Sequence, residues 1–269
     1  MSCIEHFCDY DDIADFPEHK HTSCEILYLK RGHISLVCGD EELDVVGGMI
    51  YIIPAGVSHR IVIKDYNHYE RTLIFLNPWT YTRSYYSDLI YNIAMGFSTD
   101  KPLIAEADEE IKKHLDTIKS ELKSKDLLSE DVIVSSVTLL LSDVIRRLGI
   151  TVGDSKKPNK LVVEVQRFIQ ENYKYPIMIS DIAENFFISK YYLSHIFKEQ
   201  TGMSPKSFLT LTRVTKAYNM LHGSDARISE IAEMCGFSNV NDMINKFKQQ
   251  YGISPSQFRK QLMNKSKSN

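Results

Sequence analysis

ISDIAENFFISKYYLSHIFKEQTGMSPKSF, residues 179–208, and ISEIAEMCGFSNVNDMINKFKQQYGISPSQF, residues 228–258, are two copies of one pattern. Their opening hexapeptides align at an offset of 49. Phe197-Lys198, Gly202, Ser204-Pro205 and Phe208 align with Phe247-Lys248, Gly252, Ser254-Pro255 and Phe258 at an offset of 50, so one residue is inserted in the turn between. Each copy reads as a short helix, a tight turn and a second helix. In the first, Ile182 and Ala183 are expected to point inward and Ser189 to cap the second helix. Tyr192, Leu193, Ile196 and Phe197 are spaced as the buried stripe of that helix. In the second, Gly236 supplies the turn, Asn239 or Ser238 caps, and Met243 and Phe247 point inward. This is the pattern of a helix-turn-helix, whose second helix enters the major groove of DNA.

The outward faces carry the candidate contacts. On the first recognition helix they are Lys190, Tyr191, Ser194, His195 and Lys198. On the second they are Asn239, Asn241, Ile244, Asn245 and Lys248, with Arg259 beyond it. Tyr191 and His195 suit base edges or methyl groups, Ser194 hydrogen-bonds either partner, and Asn241 and Asn245 have the amide geometry that pairs with adenine. Lys190, Lys198, Lys248 and Arg259 suit phosphates. Between the copies, residues 207–223 place Phe208, Leu211, Val214, Tyr218 and Leu221 on one continuous helix. That helix would fix the separation of two readers that enter successive major grooves, about 34 Å apart. A helical bundle with an internal duplication and no DNA role is the competing reading. Charge favours the first: residues 159–269 carry 15 Lys and Arg against 9 Asp and Glu, whereas residues 1–158 carry 17 against 26. A basic part on an acidic chain points to a polyanionic partner for that part alone.

ISEIAEMCGFSN followed by KFKQQYGISPSQFRK, with YYLSHIFKEQTGMSP upstream, resembles the AraC family of transcriptional regulators over about residues 165–260. That family's signature runs IA-x3-GF, then F-K, then G-x-[ST]-P-x2-[FY]-R. The resemblance implies a unit that reads promoter half-sites in double-stranded DNA, commonly as a homodimer, and activates by contacting RNA polymerase. This chain departs from the pattern in its second recognition helix. Asp242 and Met243 stand where the family usually has two aromatics, and Asn245 where an Arg is common. These changes weaken phosphate and guanine contacts and shift the expected base readout towards the first helix.

The N-terminal part has a different period. From about residue 23 to 76, CEILYLKRG, HISLVCGD, EELDVVGG, MIYIIPAG and HRIVIKD are short apolar or alternating runs split by Gly, Asp and Pro, the signal of a β-sandwich or barrel. Within them, His19-x-His21-x3-Glu25-x6-Gly32 and Gly48-x5-Pro54-x-Gly56-x2-His59 resemble the two cupin motifs. In metal cupins the positions matching His19, His21, Glu25 and His59 converge inside the barrel, and three imidazoles with a carboxylate suit a divalent transition metal. Ile63 stands where cupins often have Asn, and the glycine ahead of the first motif is absent. Family regulators commonly carry a cupin-like sensor that binds a small organic effector, and these side chains then serve as hydrogen-bonding groups. Tyr28, Tyr51, Arg60 and Trp79 are further pocket candidates.

Residues 79–97 are aromatic-rich and partly helical by pattern. From residue 106 the period becomes helical, with Ile111, Leu115, Ile118 and Leu122 on one face. A second helix over 129–148 is more apolar than one packing face requires, which fits either burial or a dimer interface. Residues 149–160, GITVGDSKKPNK, read as a linker. The organisation is therefore multi-domain: an all-β cupin-like sensor over 1–100, a helical dimerisation element over 101–150, a linker over 151–158 and an all-α tandem helix-turn-helix reader over 159–269, its two motifs joined by a linker helix. Five cysteines, an odd number without a CxxC pair, fit reduced thiols in a cytoplasm. The acidic N-terminus lacks the basic n-region of a secretory signal, and no apolar run is long enough to span a bilayer. No P-loop, GxGxxG or GxSxG pattern appears. The expected function is an effector-responsive, sequence-specific transcription regulator, not an enzyme. A metal-sensing regulator and a cupin metalloenzyme with a helical appendage stand as alternatives.

Overall fold

The computed structural model describes residues 3–10, 17–65, 68–77, 88–96, 101–150 and 159–265. They fall into two compact units: the described residues of Met1–Asp15 and Ser23–Lys157, and those of Phe16–Thr22 and Pro158–Asn269.

The first unit is built on two antiparallel sheets. Strands β1 (Ile4–Tyr10), β7 (Glu70–Leu76), β2 (Cys24–Arg31), β5 (Met49–Ile53) and β8 (Leu103–Glu106) pair in that order. Strands β4 (Glu41–Val46), β3 (His33–Cys38) and β6 (Arg60–Ile63) form the other sheet. The strand-rich reading of 23–76 is met by β2 to β7. It missed β1, an acidic segment, and β8, which lies beyond the expected sensor limit at residue 100. Helix α1 (Asp88–Ala94) falls in the partly helical stretch, and residues 78–87, with Trp79, lie outside the described residues. Helices α2 (Glu109–Ser124) and α3 (Ser129–Arg147) follow the expected periodicity. Asp108 caps α2 by accepting from the Ile111 N–H at 3.1 Å. α3 ends at Gly149, which takes the left-handed φ of 64° that a glycine adopts without steric cost.

Strand alternation explains the layering. Cys24 and Ile26 of β2, Ile50 and Ile52 of β5, and Ile74 and Leu76 of β7 share one core with Ile111, Leu115 and Ile118 of α2 and Val137, Leu140 and Val144 of α3. One face of the larger sheet is thus sealed by helices, so the cut at residue 100 divides a single core. The alternate positions, Glu25, Leu27, Tyr51, Ile53, Leu73 and Phe75, project from the opposite face and are buried too. Among the described residues no helix is long and apolar enough to cross a membrane.

The second unit is all-helical: α4 (Lys160–Asn172), α5 (Ile179–Asn185), α6 (Lys190–Thr201), α7 (Pro205–Gly223), α8 (Ile228–Met234), α9 (Val240–Tyr251) and α10 (Pro255–Lys265). The sequence repeat is repeated in the hydrogen bonds. Asp181 accepts from the Met178 N–H at 2.9 Å, and Glu230 from the Arg227 N–H at 2.7 Å, which satisfies one orphan donor at the start of α5 and of α8. Ser189 caps α6 through the Tyr192 N–H at 3.1 Å, and Asn239 caps α9 through the Asp242 N–H at 2.8 Å. α7 runs through the middle. Phe197 of α6 meets Phe208 edge-on at 5.5 Å, while Tyr218 stacks on Tyr251 at 4.8 Å and on Phe258 at 5.0 Å. Both motifs therefore dock on the one helix that separates them.

Candidate functional site

In the reader, Leu193 and Phe197 are the fully buried pair of α6, matching Met243 and Phe247 of α9. The expected four-residue stripe of α6 is narrower: Tyr192 is 49% exposed and Ile196 is only half-buried, because both flank the line that faces α7. Lys190, Tyr191, His195 and Lys198 are exposed on α6, and Asn241, Asn245 and Lys248 on α9. Ser194 and Ile244 are half-buried at the margins of those faces. Ser194 also donates to the Lys190 carbonyl at 2.8 Å. Asn239 spends its amide oxygen on the cap, and its NH₂ group donates to the Ser238 hydroxyl at 3.3 Å. Arg259 is half-buried, and its guanidinium donates to the Ser224 carbonyl at 3.5 Å.

In the first unit the helix-distal face of the larger sheet gathers polar groups into a buried cluster. Glu25 of β2, Tyr51 of β5, His59 at the entry to β6 and Tyr69 ahead of β7 are all at most 3% exposed. Strand parity puts Arg71 of β7 on the same face as Glu25 and Tyr51. The Arg71 guanidinium lies 5.5 Å from the centre of the Tyr69 ring. The Tyr51 hydroxyl is buried without a hydrogen-bond partner among the described residues. Burial first, and then the neighbouring Tyr69 and Glu25, hold that phenol well above its ordinary range, with Arg71 pulling the other way. Burial also raises Tyr69. Burial works against the charge on Arg71, yet Tyr69, Tyr51, Glu25 and Cys8 around it keep the guanidinium firmly protonated. The cluster thus offers a fixed positive charge, two neutral phenols and a carboxylate in an enclosed setting.

His59 and Glu25 form a pair within it, Nε2 to Oε2 at 3.3 Å, while His59 Nδ1 faces the Val57 carbonyl at 3.1 Å. A carbonyl only accepts, so Nδ1 carries the ring proton. Nε2 then faces the Glu25 carboxyl group across that distance.

Tyr51, Glu25 and His59 meet in the cluster. Tyr28 does not: it lies on the other face of β2, packed against the helix-covered core. Arg60 is exposed on β6. His21 is buried and His19 half-buried, in the 17–22 stretch that groups with the second unit. There their rings are 6.0 Å apart, and His19 lies 5.5 Å from the Tyr251 ring. Tyr69 and Arg71 escaped the sequence reading. In ERTLIFL both faces are apolar enough to hide the alternation, and the one visible signal was an Arg inside an apolar strand.

A tandem reader behind a β-domain with a buried polar cluster defines a DNA-binding transcription regulator with a ligand-binding domain, and comparisons with known proteins agree. A model of the AraC-like ligand binding domain matches residues 9–141, and a helix-turn-helix domain model matches residues 182–261. The chain belongs to the AraC family of transcriptional regulators. It is 25% identical over 245 residues to the Msm operon regulatory protein of Streptococcus mutans, covering 89% of this chain and 84% of that one. It is 23% identical over 257 residues to the transcriptional activator RhaS of Pectobacterium carotovorum, covering 93% and 90%. The fold is similar to that of ToxT from Vibrio cholerae, solved with an unsaturated fatty acid bound, at a TM-score of 0.69 and 14% identity, covering 94% of each chain.

Proposed function

We propose that the effector of this regulator binds at the Glu25, Tyr51, His59, Tyr69 and Arg71 cluster, and that binding there changes how the reader engages DNA. The observation that carries the reading is the buried Tyr51 hydroxyl without a partner among the described residues, near the half-buried Arg71, whose Nε is buried. An unsatisfied buried hydroxyl costs about 1–3 kcal/mol, a penalty that a ligand hydroxyl or carboxylate would remove. A polar molecule with an acidic or hydroxyl-rich end fits Arg71 and the two phenols. A ligand acts only through its different affinity for two arrangements of the protein, so the same change must appear in DNA affinity. A thermal-shift screen of small acids and polyols, repeated on Tyr51→Phe and Arg71→Gln, tests this. Hits must weaken in both variants; hits that survive in both contradict it.

In this reading Lys190, Tyr191, Ser194, His195, Lys198, Asn241, Ile244, Asn245 and Lys248 touch DNA, with the NH₂ of Asn239 and the guanidinium of Arg259 at the edges. The protein acts in the cytoplasm as an activator that contacts RNA polymerase, and it has no catalytic activity of its own. It is a dimer through the outward stripe of α3, where Leu139 is exposed and Val132 half-buried, with the exposed Leu128 just ahead of the helix.

A second reading is favoured by the His59–Glu25 pair. Two ligands of a tetrahedral metal stand about 3.4 Å apart when each is ~2.1 Å from the ion, close to the 3.3 Å between Nε2 and Oε2. These two groups therefore fit a divalent transition metal. Such an ion would supply a Lewis-acidic anchor for an anionic effector, or be the sensed species. Elemental analysis of tag-free protein purified without chelator tests it. Near one metal per chain, lost in His59→Ala, supports a metal-sensing regulator. No uptake of added Fe, Mn, Zn or Ni rejects it.

A further inference from the structure

Within the second unit, a groove of about 350 Å³ opens between the first turns of α7 and the last turns of α9. That volume lies at the lower end of small-molecule sites, roughly 300–1,000 Å³. Three lysines line it from three separate segments: Lys206 on α7, Lys246 on α9 and Lys20 in the 17–22 stretch. The ten lining residues include no Asp or Glu, so no carboxylate within the groove offsets them. Ser207 adds a hydroxyl shared with Ser204 and Thr210 one that donates to the Lys206 carbonyl, and the groove sits at the N-terminal end of α7, where the helix dipole favours negative charge. Met203, Leu211 and Val214 give it an apolar side. Gln250 ties the stretch in place by donating its side-chain amide to the Lys20 carbonyl.

We propose that this groove is a second ligand site, on the reader itself, for a small phosphorylated metabolite. A monocarboxylate would leave most of the positive charge unmet, whereas a phosphoryl dianion accepts from several ammonium donors at once. The apolar side suits a short carbon skeleton. DNA backbone is the other source of phosphate, and helix geometry argues against it. At about 100° per residue, Lys246 and Gln250 point roughly 160° around α9 from the mean direction of Asn241, Ile244, Asn245 and Lys248. The groove therefore faces away from the side proposed to read bases. A ligand there would brace α7, the spacer between the two motifs, against α9, and so bias reader geometry independently of the β-domain.

The test is calorimetric titration of the full-length protein with pyrophosphate at fixed ionic strength, with chloride as the compensating ion. The expected result is saturable binding at one site per chain, weakened at least about tenfold in Lys206→Gln/Lys246→Gln, since two charge-assisted contacts are lost. Arg71→Gln should bind pyrophosphate as the parent does, which separates this site from the β-domain cluster. DNA affinity measured without pyrophosphate should be unchanged in the double variant, which also shows that it folds. Absence of saturable binding up to about 10 mM, equal binding by the double variant, or a fall in its DNA affinity with a shallower salt dependence would each overturn the proposal. The last outcome would make the lysines DNA-backbone contacts.

Discussion

Phe187 and Gly236 hold the same corner of the two helix-turn-helix motifs, 49 residues apart, and both take a left-handed backbone, with φ of 56° and 77°. The motif demands that conformation; the two copies meet the demand differently. At Gly236 there is no room for a side chain, since a Cβ would lie 2.5 Å from the Tyr173 carbonyl oxygen and 2.8 Å from that of Lys174. At Phe187 the side chain is 96% exposed. The first turn therefore carries conformational cost without packing in return.

Substitution at the two corners should have opposite effects. Gly236→Ala combines left-handed strain of about 1–2 kcal/mol with a clash of similar size, for a loss of roughly 2–4 kcal/mol. Phe187→Gly removes the strain but returns about 0.5–1 kcal/mol of unfolded-state entropy, for a net gain of up to about 1 kcal/mol. Urea unfolding of both variants measures the contrast. Equal losses would mean that the Phe187 ring has a role in the folded reader.

The His59–Glu25 pair should behave as a buried pair does. Removing one partner costs about 3–5 kcal/mol because it strands the other, while replacing both with apolar groups is close to neutral. His59→Leu should therefore lower the urea midpoint more than His59→Leu/Glu25→Leu does. A double variant less stable than the single one would contradict the pairing.

Thiol chemistry follows burial. Burial pushes the Cys235 thiol up to about 12, against the smaller opposing pull of Lys216 and Arg213. Cys24 is raised further, by burial and the adjacent Glu25. At pH 8 both are thiols, not thiolates, and iodoacetamide should leave them unlabelled in the native protein and label them in urea. Rapid native labelling of Cys235 would show that α8 opens.

Acid sensitivity has one local source that can be isolated. The Ile111 N–H, and then the Arg147 guanidinium, hold the Asp108 carboxyl below its ordinary value. A depressed folded pKa contributes stability above the unfolded value of about 3.9, lost as pH falls below it. Asp108→Ala should be less stable than the parent at pH 6, and the gap should narrow towards pH 3. A constant gap would mean that the cap acts without its charge.

The reader was legible because its signals are local. The caps, the glycines after α6 and α9 and the paired Phe positions recur at fixed offsets, so a single chain carries its own alignment. The β-domain was legible only as a class. Its larger sheet is buried on both faces, so alternation in CEILYLKR and ERTLIFL does not say which side chains face the cluster. For that one reason alternation does not separate Tyr28, on the helix-covered face, from the cluster residues, and does not single out Arg71. β8 was hidden because its four residues pair with β5, some fifty positions earlier, and nothing local marks that pairing.

The central claim is that the exposed face of α6 reads DNA, and it is tested most directly by electrophoretic shift on a fragment upstream of the protein's own gene at about 150 mM salt. Tyr191→Ala/His195→Ala should keep its fold and its weak, salt-sensitive binding to scrambled DNA, and should lose specific affinity by at least about tenfold, since each base contact contributes roughly 1–3 kcal/mol. Unchanged specific affinity in that variant would contradict the claim.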